Sequence, residues 1–258
     1  MMTIISPAKN MKLPKAVSGP ASDGLTRPVY LDRAREIGEK LKTYGPWELQ
    51  SLMNVSEKLA EDCFDRLQFM RFDENGTAAV ETYDGIQYKY MDPAAFSEKA
   101  RAFAQEHLRI LSGMYGVLRP YDSIYEYRLE MQTRLAVGES KDLYRYWKDA
   151  LYQEVVTGDR VVCNLASEEY AKAVRRYLRP EDRFVTCVFQ VMSKGRYRVL
   201  ATAAKMARGR MVRYIMEHGI DSVEGLKEFR EDGYVWEPSL SSENELVFLQ
   251  TSDFVCRQ

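Results

Sequence analysis

Histidine is nearly absent: the 258-residue chain has two, His107 and His218. A histidine-rich metal site is thereby excluded, and a Ser-His-Asp triad would need one of two residues that fall on predicted helices. Cysteine is as scarce. Cys63, Cys163, Cys187 and Cys256 lie far apart without C-x-x-C spacing, so neither a disulfide framework nor a zinc knuckle is expected, and buried free thiols are. No window approaches the roughly 18 uncharged apolar residues of a membrane helix, and Met1-Met2-Thr3-Ile4-Ile5 lacks the basic start of a signal peptide. A cytoplasmic protein without a membrane partner is expected. A Walker loop, a G-x-G-x-x-G behind a strand and H-E-x-x-H are all missing, and no metal or cofactor is expected.

What is present is an ordinary globular composition with segregated charge. Hydrophobic residues make up 45% and charged residues 29%, enough for one sizeable core, and we expect a single compact domain over residues 1–258. The net charge of −1 conceals an asymmetry: residues 160–215 hold thirteen bases against four acids, a net +9, while residues 216–258 sum to −7. Two readings stand side by side, an anion-binding face or a basic stretch neutralised by its acidic neighbour after folding.

Strands and helices alternate along the chain. Thr3 to Ser6 reads as a short strand that Pro7 stops, which places Ser6-Pro7-Ala8-Lys9 in a turn past a strand end. Gly19 to Pro28 reads as a loop, Tyr30 to Leu41 as a helix, and Gly45-Pro46 and Ser56 as the starts of two more. Ala78 to Tyr83 is predicted as a strand and Ser97 as the cap of a helix through Leu108. Val161 to Leu165, Phe184 to Phe189, Tyr197 to Ala201 and Leu246 to Leu249 read as strands, and Ala203 to Met216 as a helix. The intermixing predicts a mixed α/β body with helices around a mixed β-sheet.

Four groups of residues could carry chemistry. Gly113-Met114-Tyr115-Gly116, with Arg119 beyond, places two glycines three apart between apolar runs; the readings are a phosphate-gripping hairpin or an ordinary tight turn. In helical projection Lys205, Arg208 and Arg213 cover one broad side, while Ala204, Met211 and Ile215 turn inward. That cationic side suits a phosphate backbone or a small anion, or is a solvated face. Asn164 to Tyr170 occupies a strand-to-helix junction; either Ser167 caps the helix and Glu168 or Glu169 favours its positive end, or Asn164, Ser167 and Glu168 bind a base edge or ribose. Arg128 and Glu130 form either a buried ion pair or part of the same pocket.

Several strings are informative together. Ile5-Ser6-Pro7-Ala8-Lys9, Ser56-Glu57-Lys58-Leu59-Ala60, the run from His107 to Pro120, Arg128-Leu129-Glu130-Met131, Asn164 to Tyr170, Lys205-Met206-Ala207-Arg208-Gly209 and Glu245-Leu246-Val247-Phe248 resemble, in order and spacing, the YaaA peroxide-stress protein family. The resemblance covers nearly the whole chain. It implies a cytosolic, single-domain α/β protein that limits hydrogen peroxide damage, keeps free intracellular iron low and binds duplex or distorted DNA. It also implies a helix-hairpin-helix-like element, which maps onto Gly113 to Arg119 with Gly-x-x-Gly in place of Gly-x-Gly. The positively charged cleft of the family would involve Lys9, Arg119, Lys205, Arg208 and Arg213, joined as DNA contacts by Gly113, Gly116, Arg128 and Asn164. A monomeric, non-enzymatic DNA-binding protein is the leading expectation. The alternative is an enzyme acting on a nucleotide or damaged base in a pocket lined by Lys9, Glu130, Asn164, Ser167, Glu168, Lys205 and Arg208, with Glu130, Ser167 and Glu168 as catalytic candidates.

Overall fold

The computed structural model describes residues 1–12, 24–72 and 76–251. The first part of the Gly19 to Pro28 loop and Cys256 lie outside those residues. The chain runs through β1 (Met2–Ile5), β2 (Asn10–Met11), α1 (Leu31–Lys42), α2 (Pro46–Met53), α3 (Glu57–Phe69), β3 (Thr77–Ala78), α4 (Ala79–Thr82), β4 (Tyr83–Asp84), α5 (Ile86–Met91) and α6 (Glu98–His107). It continues through β5 (Leu108–Ser112), β6 (Gly116–Leu118), β7 (Ser123–Ile124), α7 (Leu143–Trp147), α8 (Ala150–Val155), β8 (Val161–Leu165) and α9 (Glu168–Arg175). β9 (Arg183–Ser193), β10 (Arg196–Arg198), α10 (Ala201–His218), α11 (Val223–Leu226), β11 (Tyr234–Trp236) and β12 (Glu245–Gln250) complete it.

The main sheet has the order β11-β12-β9-β8-β1-β5-β6, with β10 folded back on β9. Its five central strands are parallel, and β6, β10 and β11 are antiparallel additions. The sequence explains this. Parallel strands covered on both faces need continuous apolar runs rather than alternation, and Ile4, Ile5, Val162, Cys163 and Leu165 are fully buried. Each such aliphatic side chain contributes about 1.5–3 kcal/mol relative to an exposed one. β1 lies between β8 and β5, with Ile5 opposite Leu165 on one side and Ile110 on the other. The strand that follows β1 in the main sheet lies on one flank and a later strand on the other, so chain direction diverges at β1. Ligands of open α/β sheets settle outside the carboxyl ends of strands at such a divergence.

Three local expectations are corrected. Ala78 to Tyr83 is not one strand: β3 and β4 are separated by a helical turn, because the Ala79 and Val80 N–H groups donate to the Asp122 and Pro120 carbonyls and the Thr82 hydroxyl bonds the Ala78 carbonyl. Gly113 to Arg119 is not a helix-hairpin-helix. It belongs to a β-hairpin in which Ile110 opposes Leu118 and Ser112 opposes Gly116. β-branched and large apolar residues on both sides of the turn favour the buried strand pair over helices. Tyr197 to Ala201 splits between the end of β10 and the first turn of α10. Elsewhere Ser97 caps α6 through its hydroxyl, whereas Ser56 and Ser167 precede their helices without a side-chain cap bond.

Candidate functional site

A cavity of about 460 Å³ opens at the carboxyl ends of β1 and β8. Ser6 to Lys9 supply one wall, Gln87 and Tyr88 of α5 another, Tyr127 to Glu130 a third, and Ser167, Glu169 and Tyr170 a fourth; Lys205 and Arg208 enter from α10. The turn after β1 is held from several directions. The Tyr88 hydroxyl donates to the Ser6 carbonyl at 3.0 Å, and Ser6 Oγ accepts from the Ser167 N–H at 2.8 Å while donating to Ser167 Oγ at 3.1 Å. Ser167 therefore ties the two strand ends together at the start of α9, where the helix N-terminus carries partial positive charge.

The electropositive end belongs to α10. Arg208 projects from the buried side of that helix, among Ala204, Met211 and Ile215, and makes no ion pair or hydrogen bond among the described residues; its Nε is buried without a partner. Burial lowers its pKa from the usual arginine value, and no carboxylate opposes that. Arginine stays charged under such conditions, so the pocket contains a partly desolvated cation that no carboxylate pairs among the described residues. Lys205 lies one turn away on the same wall and is exposed.

The opposite chemistry gathers around Glu130. Lys9 Nζ stands 2.9 Å and Arg128 3.7 Å from its carboxylate, and Gln132 Nε2 donates to it at 3.3 Å. The Gln132 backbone N–H donates to Glu169 Oε1 at 3.1 Å, so one residue touches both carboxylates. Burial pushes the Glu169 carboxyl above the ordinary glutamate value, with the nearby Glu130 charge acting in the same direction against the Gln132 N–H and Lys9. Tyr127 is bonded to Tyr83 and Ser112 at 2.6 Å each, and burial pushes its phenol up to about 12; it and Tyr88 form a neutral aromatic wall.

The structure brings Lys9, Arg128, Glu130, Ser167, Lys205 and Arg208 to one pocket and places the other expected residues elsewhere. Asn164 is 2% exposed and serves the frame: its Nδ2 donates to Thr186 Oγ1 and its Oδ1 accepts the Ala166 N–H. Glu168 faces outward in an ion pair with Arg175 at 2.8 Å. Gly113 and Gly116 are buried against backbone and ring: a Cβ on Gly113 would stand 2.7 Å from the Leu129 carbonyl oxygen, and one on Gly116, whose φ is 71°, 2.8 Å from Trp147. Neither glycine is placed to grip phosphate. Arg119 pairs with the fully buried Asp122 at 3.1 Å, and Arg213 with Asp92 at 2.9 Å. The broad cationic side of α10 is thus divided, because α5 packs directly on Gly209 between Lys205 and Arg213; a Cβ there would meet the Gln87 carbonyl oxygen at 2.3 Å. Sequence reasoning missed Ser6, Tyr88, Tyr127, Gln132 and Glu169 as site residues. A signal for Glu169 existed: it shares a helix face with Ala173, which is buried, whereas Glu168 shares one with Lys172 and Arg175.

A second depression of about 410 Å³ shares Lys9, Arg128 and Glu130 with the first and continues to Asn54 and Arg134. Among the described residues no three His, Cys, Asp or Glu side chains are gathered to hold a metal ion, and no helix is long and apolar enough to cross a membrane.

Known proteins share this chain from end to end. A UPF0246 protein of Clostridioides difficile is 41% identical over 250 residues, which is 97% of this chain and 100% of that protein. UPF0246 proteins of Ligilactobacillus salivarius and Lactiplantibacillus plantarum are each 42% identical, over 97% and 96% of this chain and 100% and 99% of theirs. The family model described as peroxide stress protein YaaA matches residues 1–240, a span that includes both strand ends, the Glu130 loop and the Arg208 helix around the cavity, and the chain belongs to that family.

Proposed function

We propose that the switch-point pocket binds a nucleotide unit, with its phosphate on Arg208 and Lys205 and its base against the tyrosine wall. The observation that carries this reading is Arg208, a partly buried guanidinium in the wall of an open cavity, with its Nε buried unpaired and no acidic partner among the described residues. An anion that joins a partly desolvated cation offsets its desolvation cost, and a guanidinium grips phosphate with two parallel hydrogen bonds. The cavity volume lies within the range of small-molecule sites, and its mix of neutral aromatic wall and few convergent polar groups is what such sites use. Membership of a peroxide stress family supports a role for this binding in the response to hydrogen peroxide. An effect on free iron would follow from that binding rather than from sequestration by this chain. Isothermal titration with inorganic phosphate and nucleoside 5′-monophosphates tests the reading. Replacing Arg208→Gln should weaken nucleotide binding roughly 10- to 100-fold, the worth of a charged hydrogen-bonded contact; unchanged affinity would remove the proposal.

A second reading, a grip on DNA, is favoured by the adjoining depression, which would let a strand continue from the pocket past Lys9 and Arg128 to Arg134. Most candidate cations are neutralised in pairs, so few phosphates are engaged. The logarithm of the DNA affinity should then fall against that of salt with a slope of about −2 to −3, far shallower than for extended basic surfaces.

A further inference from the structure

The nucleotide reading leaves the two carboxylates unexplained, since acids repel a phosphate. Lys205, Arg208 and Glu169 line only the inner cavity, whereas Lys9, Arg128 and Glu130 lie where it meets the second depression, and no carboxylate acts on Arg208. A nucleotide anchored by its phosphate at one end therefore directs its sugar and base toward the other. Resting on that reading, we infer that the acidic end hydrolyses the N-glycosidic bond of the bound nucleotide, with Glu169 as the proton donor and Glu130 as the base.

The two carboxyl groups occupy different surroundings, which is how one site obtains an acid and a base from the same residue type. Glu130 faces two cations, Lys9 at 2.9 Å and Arg128 at 3.7 Å. Glu169 is half-buried and faces Glu130, Lys9, the Gln132 N–H and the phenol of Tyr144, surroundings in which burial and the neighbouring anion favour its neutral form. Gln132 fixes both groups in one frame through its backbone N–H and its side chain. Cleavage at a sugar carbon passes through an oxocarbenium-like state, which needs a proton for the leaving group and negative charge beside the ring. In the step, the C1′–N bond breaks and its electron pair goes to the base, which takes the Glu169 proton. A water oxygen bonds to C1′ and its proton goes to Glu130. The products are the free base and the pentose 5-phosphate, and solvent returns the proton from Glu130 to Glu169.

The test incubates the purified full chain with the common ribo- and deoxyribonucleoside 5′-monophosphates and with the monophosphate of 8-oxodeoxyguanosine, and measures free base by chromatography and binding by calorimetry. Equimolar base and pentose phosphate are expected from at least one of them, at a rate that falls as rising pH deprotonates Glu169. Glu169→Gln and Glu130→Gln should each lower turnover by about 100-fold or more while changing nucleotide affinity less than about threefold. Glu169→Asp keeps a carboxyl group and the fold, and should retain intermediate turnover. Binding without release of base from any of these nucleotides overturns the chemistry and leaves the pocket reading standing; absence of binding removes both. Turnover in Glu169→Gln equal to that of the unaltered chain also overturns the assignment.

Discussion

Arg208 shows how one side chain sets stability against function. Its guanidinium loses part of its water on folding and its Nε finds no partner among the described residues, so the folded protein carries a desolvation cost. Arg208→Met, of similar length and without charge, should raise stability by about 1–2 kcal/mol in denaturant titrations while abolishing nucleotide binding. Asn164 behaves in the opposite way. It is a frame residue rather than a ligand contact, and Asn164→Ala should cost about 1–3 kcal/mol through the orphaned Ala166 N–H and Thr186 hydroxyl, with intrinsic nucleotide affinity retained in the folded fraction. At this scale the sequence was legible for residue types and mute about direction. Glu168 and Glu169 are chemically identical neighbours, and only the face each occupies on α9 sends one to solvent and the other into the pocket.

Among the elements, the contact between α5 and α10 does the most to position the site, since α5 brings Gln87 and Tyr88 to one wall and α10 brings Lys205 and Arg208 to another. Gly209 permits it by letting the α5 backbone approach closely. Gly209→Ala forces a Cβ against the Gln87 carbonyl and the Met91 N–H, and should destabilise the fold by about 2–3 kcal/mol and widen the pocket, read by chemical denaturation and by weakened nucleotide binding. The loop around Asp122 is a second fastening: Thr26, the Arg119 N–H and the Arg119 guanidinium all donate to a carboxylate with no exposed surface. Asp122→Ala removes the acceptor of Thr26 and Arg119 and should cost about 1–3 kcal/mol, measured as a shift in denaturation midpoint. Helices with strong periodicity, such as α1 and α6, were legible from spacing alone. The hairpin after β5 was not, because its glycines serve tight packing on Trp147 and Leu129, a demand made by residues distant in the chain.

For the molecule as a whole, pH acts in two directions. Burial raises the carboxyl groups of Asp122 and Glu169, so the folded state holds their protons more tightly than the unfolded chain does. Their contribution is most favourable below the unfolded values and declines as pH rises through the raised ones. Asp182 runs the other way: its carboxyl is held below the ordinary value by the Arg179 N–H and Arg160, and its support is lost as pH falls through that lowered value. Denaturation of Glu169→Gln beside the unaltered chain isolates one member of the balance: the variant should gain relative stability as pH rises from about 4 toward neutrality. A difference independent of pH would show that Glu169 titrates alike in both states.

Composition, hydrophobic runs and helical spacing by themselves determined a mixed α/β protein with strands near both ends of its chain, few metal ligands and an abundance of cations in its second half, because these follow from local chain preferences and burial of apolar surface. The seven family strings also lay open in the linear order. Only the tertiary structure decided which cations are free. Arg119, Arg128, Arg175 and Arg213 find acids from their own neighbourhood or from distant loops, whereas Arg208 is carried into the cavity at the carboxyl ends of β1 and β8 and forms no ion pair among the described residues. Pairing of charges is a matter of a few ångströms in space, and chain position does not encode that distance.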